Sequence, residues 1–202
     1  MLHDGTHGIA VNPHIAPRDQ TRSPSAPEGK FVLRRMAAKG GIRLVLKGDV
    51  SKAHRRVKNK TADWALQACR LDDPDLIYLN CVGTFGIGSA AYWWHRLFSG
   101  LARINLYTSQ LGAEFWQLIF ADDANWMAQG PNAHILILMA ILTAMVFGTP
   151  FASAKFAGGV EVEWVGYWLD VANFGIGLSE RRAAWLTNWL KEMVTAKKGI
   201  IG

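Results

Sequence analysis

Short apolar runs alternate along the chain with polar, Gly-marked or Pro-marked breaks, and the period within each run predicts its element. Ile42-Arg43-Leu44-Val45-Leu46 and Phe115-Trp116-Gln117-Leu118-Ile119 are β-branched and aromatic runs of strand length. The polar Asp122-Asp123-Ala124-Asn125 predicts a turn into a second short strand, Trp126-Met127-Ala128. Val160, Val162 and Trp164 alternate with Glu161 and Glu163, as in a strand with one wet face. Trp64 to Arg70 and Leu76 to Cys81 flank Asp72-Asp73-Pro74-Asp75, a hairpin signature. Helical signals run from Ser89 to about Leu106 and from Asn132 to about Phe147, where Gly148 and Pro150 act as stops. A third helix opens at Ser179-Glu180 and carries Leu186, Trp189, Leu190, Met193 and Val194 as an apolar stripe at helical spacing. Phe31 to Ala38 predicts a short helix, and Pro13 to Gly29, with Pro13, Pro17, Pro24 and Pro27, an irregular connector. The turn-rich Asp4 to Asn12 would close a strand pair. No internal repeat is present, and the sum is an α+β fold with an antiparallel sheet backed by helices.

Composition sets outer limits. With 202 residues, half of them apolar, the chain can bury one substantial core. The greasiest stretch, Ile135 to Phe147, is shorter than the ~20 apolar residues of a membrane span and reads as a buried helix. No basic segment followed by an apolar core opens the chain, so a secretory signal is not expected. Cys69 and Cys81 form no Cys-x-x-Cys pattern and have no His at ligand spacing, which points to reduced thiols in an intracellular setting rather than a disulfide framework or zinc site. The net charge of +6 is unevenly spread. Residues 1–60 hold 13 Lys and Arg against 4 Asp and Glu, a local +9, and the remainder carries −3. Such a basic end suits a polyanion, although a charge run is as often a solvated face. A membrane-surface role ranks last, because no amphipathic basic helix is present.

The candidate chemistry centres on Phe120-Ala121-Asp122-Asp123, where two adjacent carboxylates end an apolar run. Taken alone, an Asp-Asp pair in a turn is ordinarily just solvated. Two carboxylates at the mouth of a buried strand, however, repel one another and resist desolvation, and a hard divalent cation is their natural partner. A further acid, Asp49, ends the first apolar strand, and the glycine-marked block Gly83-Thr84-Phe85-Gly86-Ile87-Gly88-Ser89-Ala90-Ala91 lies between the two. That block is not a phosphate-binding glycine loop, since no Lys-Ser/Thr follows and the dinucleotide spacing is wrong. Tyr92, Trp93 and Trp94 read as core side chains.

In this order the three blocks resemble motifs A, B and C of the reverse transcriptase palm, retrotransposon type. The resemblance continues in Ser153-Ala154-Lys155, similar to the motif D lysine segment. It extends to Val162-Glu163-Trp164-Val165-Gly166-Tyr167-Trp168-Leu169, similar to the primer grip, and to Leu178-Ser179-Glu180-Arg181-Arg182, similar to the passage from palm to thumb. It implies partial fingers and connector at 1–40, palm at 41–177 and the start of the thumb at 178–202. It further implies an RNA-directed DNA polymerase that uses two Mg²⁺ ions, with Mn²⁺ as a substitute, to join a dNTP to a primer 3′-hydroxyl on an RNA or DNA template. Asp49, Asp122 and Asp123 would hold the metals, with Lys155 as proton donor or electrostatic clamp. His54, Phe85 and Gly86 would contact the incoming nucleotide, and Gly166 and Tyr167 the primer.

Two departures from the family pattern qualify this. His54 stands where most reverse transcriptases have Phe or Tyr, five positions after the motif A acid, which opens the question of sugar selection. The basic residues that grip the triphosphate would precede Met1, so the chain is expected to be a fragment, a degenerate relic or one product of a longer polyprotein. A catalytically inactive nucleic-acid-binding remnant is therefore the alternative.

Overall fold

The computed structural model describes residues 11–108 and 114–195. At its centre lies a four-stranded antiparallel sheet of β1 (Arg43–Asp49), β4 (Phe115–Phe120), β5 (Asp123–Gln129) and β6 (Ala157–Gly159), in the order β4-β5-β1-β6. Between β1 and β4, in chain order, come the two-residue strands β2 (Ala68–Cys69) and β3 (Tyr78–Leu79) and the helix α2 (Gly88–Thr108). The α3 helix (Ala133–Val146) follows β5. A second, three-stranded sheet holds β7 (Glu161–Trp164), β8 (Tyr167–Asp170) and β9 (Gly175–Leu178), and the α4 helix (Glu180–Thr195) ends the described chain. This is a mixed fold of antiparallel sheets with flanking helices, as the apolar periods predicted.

Both faces of the central sheet are covered, and the alternation of β1 and β5 divides the core. Trp126, Ala124 and Ala128, with Leu44 and Leu46 across the ladder, pack against Trp94 and Phe98 of α2 and Leu136, Ile137 and Ala140 of α3. Val45 and Met127, opposite each other, face the other way. There they meet Val162, Trp164 and Leu169 of the second sheet and Val32, Leu33 and Met36 of the helix α1 (Ala26–Ala37). A strand buried on both faces favours apolar residues, and β5 carries Ala124, Trp126, Met127 and Ala128 at its centre, with buried Asn125 and Gln129 as its polar exceptions.

Several boundaries differ from the sequence expectation. The first helix begins at Ala26 rather than Phe31, because Ser25 and Glu28 form a capping box: the Ser25 N–H donates to Glu28 Oε2 at 2.8 Å. At the other end of α1, the buried Gln129 amide donates to the carbonyls of Met36 at 3.0 Å and Lys39 at 2.6 Å, satisfying acceptors that a helix terminus leaves open. The acidic turn is also displaced. Ala121 and Asp122 make the reversal, Ala121 with φ 52°, while Asp123, Ala124 and Asn125 already belong to β5. The expected hairpin around Pro74 is only two residue pairs long, Ala68 with Leu79 and Cys69 with Tyr78, and residues 61–67 are a 3₁₀ helix.

Of the three aromatics at the start of α2, only Trp94 is core. Trp93 is exposed and the Tyr92 hydroxyl donates to Asp19 at 2.9 Å. The α3 helix is buried on one face alone, with Leu138, Leu142 and Val146 exposed, and the apolar stripe of α4 is uncovered at Trp189, Leu190 and Val194. No helix among the described residues is long and apolar enough to cross a membrane. The Asp4 to Asn12 segment lies outside the described residues up to Ala10, and Asn12 opens a 3₁₀ turn.

The β7–β8 hairpin closes through Val165 and Gly166, at φ 49° and 74°. Two consecutive left-handed residues suit the right-handed twist of the flanking strands, but a β-branched residue in that region is costly. Replacing Val165 with Asn, which tolerates the left-handed region, is expected to stabilise the chain by about 0.5–1 kcal/mol, less than the ~1–2 kcal/mol steric cost because some packing is lost. Urea unfolding of V165N beside the parent checks this, and an unchanged or lowered midpoint would contradict it.

Candidate functional site

The β1–β5 ladder pairs Asp49 with Asp123, the last residue of one strand with the first of the other. Directly opposed residues of an antiparallel pair project from the same face, so both carboxylates leave the sheet together. Asp122 stands in the adjoining turn, and its carbonyl accepts the Val50 N–H at 3.0 Å. The Ala121 carbonyl accepts the Trp94 indole N–H at 3.0 Å, which fastens the strained turn to α2. Asp49 and the Asp122-Asp123 pair, 73 positions further along the chain, thus gather at one end of one strand pair. Asp123 records the cost. Its carboxyl is held above the usual carboxylate range, first by burial and then by the charges of Asp122 and Asp49.

Lys155 answers part of that charge. The segment 150–155 runs beside the end of β1, with the Ser51 N–H donating to the Pro150 carbonyl and the Ala152 N–H to the Asp49 carbonyl, each at 2.8 Å. A 3₁₀ turn, Ser153–Lys155, then sets Lys155 Nζ 3.0 Å from Asp49 Oδ1. A hydrogen bond and the charge of Asp49 raise the Lys155 pKa. Asp49, Asp123 and Lys155, but not Asp122, line a cleft of about 510 Å³ together with Lys47, Trp164 and Val165. Lys47 spans it, Nζ donating to the Glu163 carbonyl at 2.7 Å. Trp164 also borders the cleft, and its indole N–H is buried without a hydrogen-bond partner.

The carboxylate pair suits a hard divalent cation in donor type and in its mutual repulsion, which Lys155 offsets only in part. Among the described residues, however, no three His, Cys, Asp or Glu side chains are grouped to hold a metal ion.

His54 lies in the 3₁₀ helix Ala53–Arg56 that follows β1, buried and edge-on to Phe85 with ring centroids 4.6 Å apart. Its Nδ1 has no partner. Gly86 adopts φ 94°, so it serves backbone conformation. Close approach belongs to Gly83, where a Cβ would stand 2.4 Å from the His54 carbonyl oxygen. A residue missing from the sequence-derived site is Asn12. Its amide donates to the Gly86 carbonyl at 2.7 Å and accepts the Gly88 N–H at 2.9 Å, clamping the glycine block to the start of α2. Only its position, next to Pro13 in a Pro-rich segment, marked it in sequence.

The remaining candidates fall near the cleft but not in it. Trp164 and Val165 line it, while Gly166 and Tyr167 turn toward α4. The Gly166 carbonyl accepts the Ser179 N–H at 3.0 Å, and the Arg182 guanidinium lies over the Tyr167 ring at 5.7 Å.

The fold has counterparts among solved structures. The chain superposes on a foamy viral protease-reverse transcriptase in complex with double-stranded DNA at a TM-score of 0.67 and 14% identity, covering 89% of this chain and 28% of that one. It matches telomerase from Candida albicans at 0.59 and 11% identity, over 78% of this chain and 34% of that one. Apo telomerase from Candida tropicalis, truncated from its C-terminal domain, matches at 0.56 and 7% identity, over 78% and 40% respectively. The chain therefore shares the palm fold of reverse transcriptases and telomerases, and it spans well under half the length of these structures. No family model matches the sequence, and no curated protein matches it.

Because its folded-state pKa is raised, ionised Asp123 weakens the fold, and the penalty grows as pH rises from the ordinary aspartate value of 3.8 through the folded-state value. Asp123→Asn is accordingly expected to raise the melting temperature at pH 7 and to leave it nearly unchanged at pH 3. An equal shift at both pH values would assign the gain to packing instead.

Proposed function

We propose that the chain is the palm of an RNA-directed DNA polymerase of retroelement type, joining a dNTP to a primer 3′-hydroxyl on an RNA or DNA template in an intracellular setting. The observation that carries this reading is the gathering of Asp49, Asp122 and Asp123 at the end of the β1–β5 pair within a palm fold. Residues 41–177 would be the palm, with partial fingers before it and the start of the thumb after it.

In this reading Asp49 and Asp122 hold two Mg²⁺ ions, or Mn²⁺ in their place, and Asp123 supports them from the first position of β5. When bound, such ions lower the pKa of the primer hydroxyl and neutralise charge on the departing pyrophosphate. The chain supplies placement. Trp164 and Val165 bound the cleft on the side where the primer end would lie. Gly166 and Tyr167 act one layer back, tying that hairpin to α4. His54, carried on the turn after Asp49 and braced by Phe85, faces the sugar, with Gly86 completing the nucleotide floor. Lys155 then serves as clamp or proton donor at the phosphates. The basic bias of residues 1–60 supports contact with the nucleic-acid backbone.

Asp122→Asn, in a chain supplied with complete fingers, is expected to abolish Mg²⁺-dependent primer extension and largely to spare template binding, since backbone phosphates dominate affinity. Extension assays beside filter binding separate the two. If neither parent nor mutant extends a primer while both bind it, the chain is an inactive nucleic-acid-binding remnant.

His54→Phe is expected to shift selection toward deoxynucleotides. An apolar ring cannot hydrogen-bond a ribose 2′-hydroxyl, whereas imidazole can. Competition between dNTP and rNTP measures the ratio, and an unchanged ratio would remove His54 from the sugar contact.

A further inference from the structure

Lys155 is the cation paired with Asp49, the acid at the end of β1. Its ammonium lies 3.0 Å from Asp49 Oδ1, and the side chains are 63% and 16% exposed respectively. The cation therefore comes in from solvent and closes the open side of a carboxylate otherwise walled by β1, β5 and the 150–155 segment. The other lysine of the cleft, Lys47, is turned away to the Glu163 carbonyl. Among the described residues no three-ligand group is present, and Asp49 is instead paired with a cation of the same chain.

The backbone beneath Lys155 is fixed while its side chain is not. The Ala152 N–H is bonded to the Asp49 carbonyl, and Phe156 packs against Phe151 at 5.4 Å and Trp126 at 6.3 Å between ring centroids. Releasing the ammonium thus requires rotation of a long, largely exposed side chain, with no refolding of the 3₁₀ turn. A divalent ion carries twice the charge of the ammonium and prefers hard oxygen donors, so it can win this exchange.

We propose that Lys155 is the resident counter-ion of the acid site, a built-in competitor that a divalent metal displaces from Asp49, leaving the ammonium free in the cleft only when metal is present. This rests on reading Asp49, Asp122 and Asp123 as the metal-binding acids.

The test is Mn²⁺ binding to the whole chain, followed by electron paramagnetic resonance and without nucleic acid or dNTP, for the parent, K155M, K155R and D49N. Displacement predicts that K155M binds Mn²⁺ several-fold more tightly, on the order of five-fold for an exposed ion pair. The gain should shrink at high salt, K155R should stay near the parent, and D49N should lose binding. If the parent binds Mn²⁺ through Asp49 but K155M binds no more tightly, or less tightly, the competitor role is overturned and the metal-site reading stands. If neither parent nor K155M binds Mn²⁺, both fall. Circular dichroism of each variant confirms that a loss is not unfolding.

Discussion

The antiparallel pairing of β1 with β5 is the constraint on which the rest of the molecule depends. It runs through seven residue pairs, from Arg43 with Gln129 to Asp49 with Asp123, and each pair fixes a side-chain layer on one face. A slip of one residue would exchange the faces, turning Trp126 away from α2 and α3 and Met127 away from α1 and the second sheet. Because both faces are buried, such a slip would be penalised twice. The hydrophobic cores on the two sides therefore hold the register, and the register holds the acids together. The meeting of the acids at the strand end is a consequence of packing well below it.

Collecting like charges costs free energy, and the chain meets that cost locally. Asp123 stays hard to ionise, Lys155 bridges to Asp49, and backbone bonds from Val50 to Asp122 and from Ala152 to Asp49 hold the peptide frame. The two turns that border the site, at Ala121 and at Val165-Gly166, put non-glycine residues in the left-handed region. Each is tied down from elsewhere, Ala121 by the Trp94 indole and Gly166 by the Ser179 amide, so tertiary contacts outweigh the local strain. Asp170 plays a comparable part at the far end of β8. It accepts the N–H groups of Ala172 and Asn173 at 2.9 Å, bonds that hold its pKa down and fix the turn to β9.

Much of the secondary structure was legible because burial imposes a period on a local segment. The strands at Arg43 and Phe115, the alternation of Val162 and Trp164 with Glu161 and Glu163, and the helices over α2, α3 and α4 follow from runs that any window can detect. Signals resting on three or four residues were harder. Ser25-x-x-Glu28 is a capping box, yet its prolines read as a connector. Asp122-Asp123-Ala124-Asn125 reads as a turn by residue type, although β5 begins at Asp123. There a paired β1 and the covering helices override local preference, leaving Asn125 fully buried in a ladder.

By itself the sequence determined which residues are capable of chemistry, Asp49, Asp122, Asp123 and Lys155, and the order of blocks that resembles a polymerase palm. Tertiary structure decided which of these meet. It set Asp49 opposite Asp123, brought Lys155 onto Asp49 from 106 positions away in the chain, and made Trp164 and Val165, rather than Gly166 and Tyr167, part of the lining of the cleft. It also placed Asn12 on the glycine block and left one face of α3 and the stripe of α4 uncovered. The division has a physical reason: periodicity is a property of consecutive residues, whereas a meeting of distant side chains is fixed only when strand register and two-sided burial select one arrangement of the whole chain.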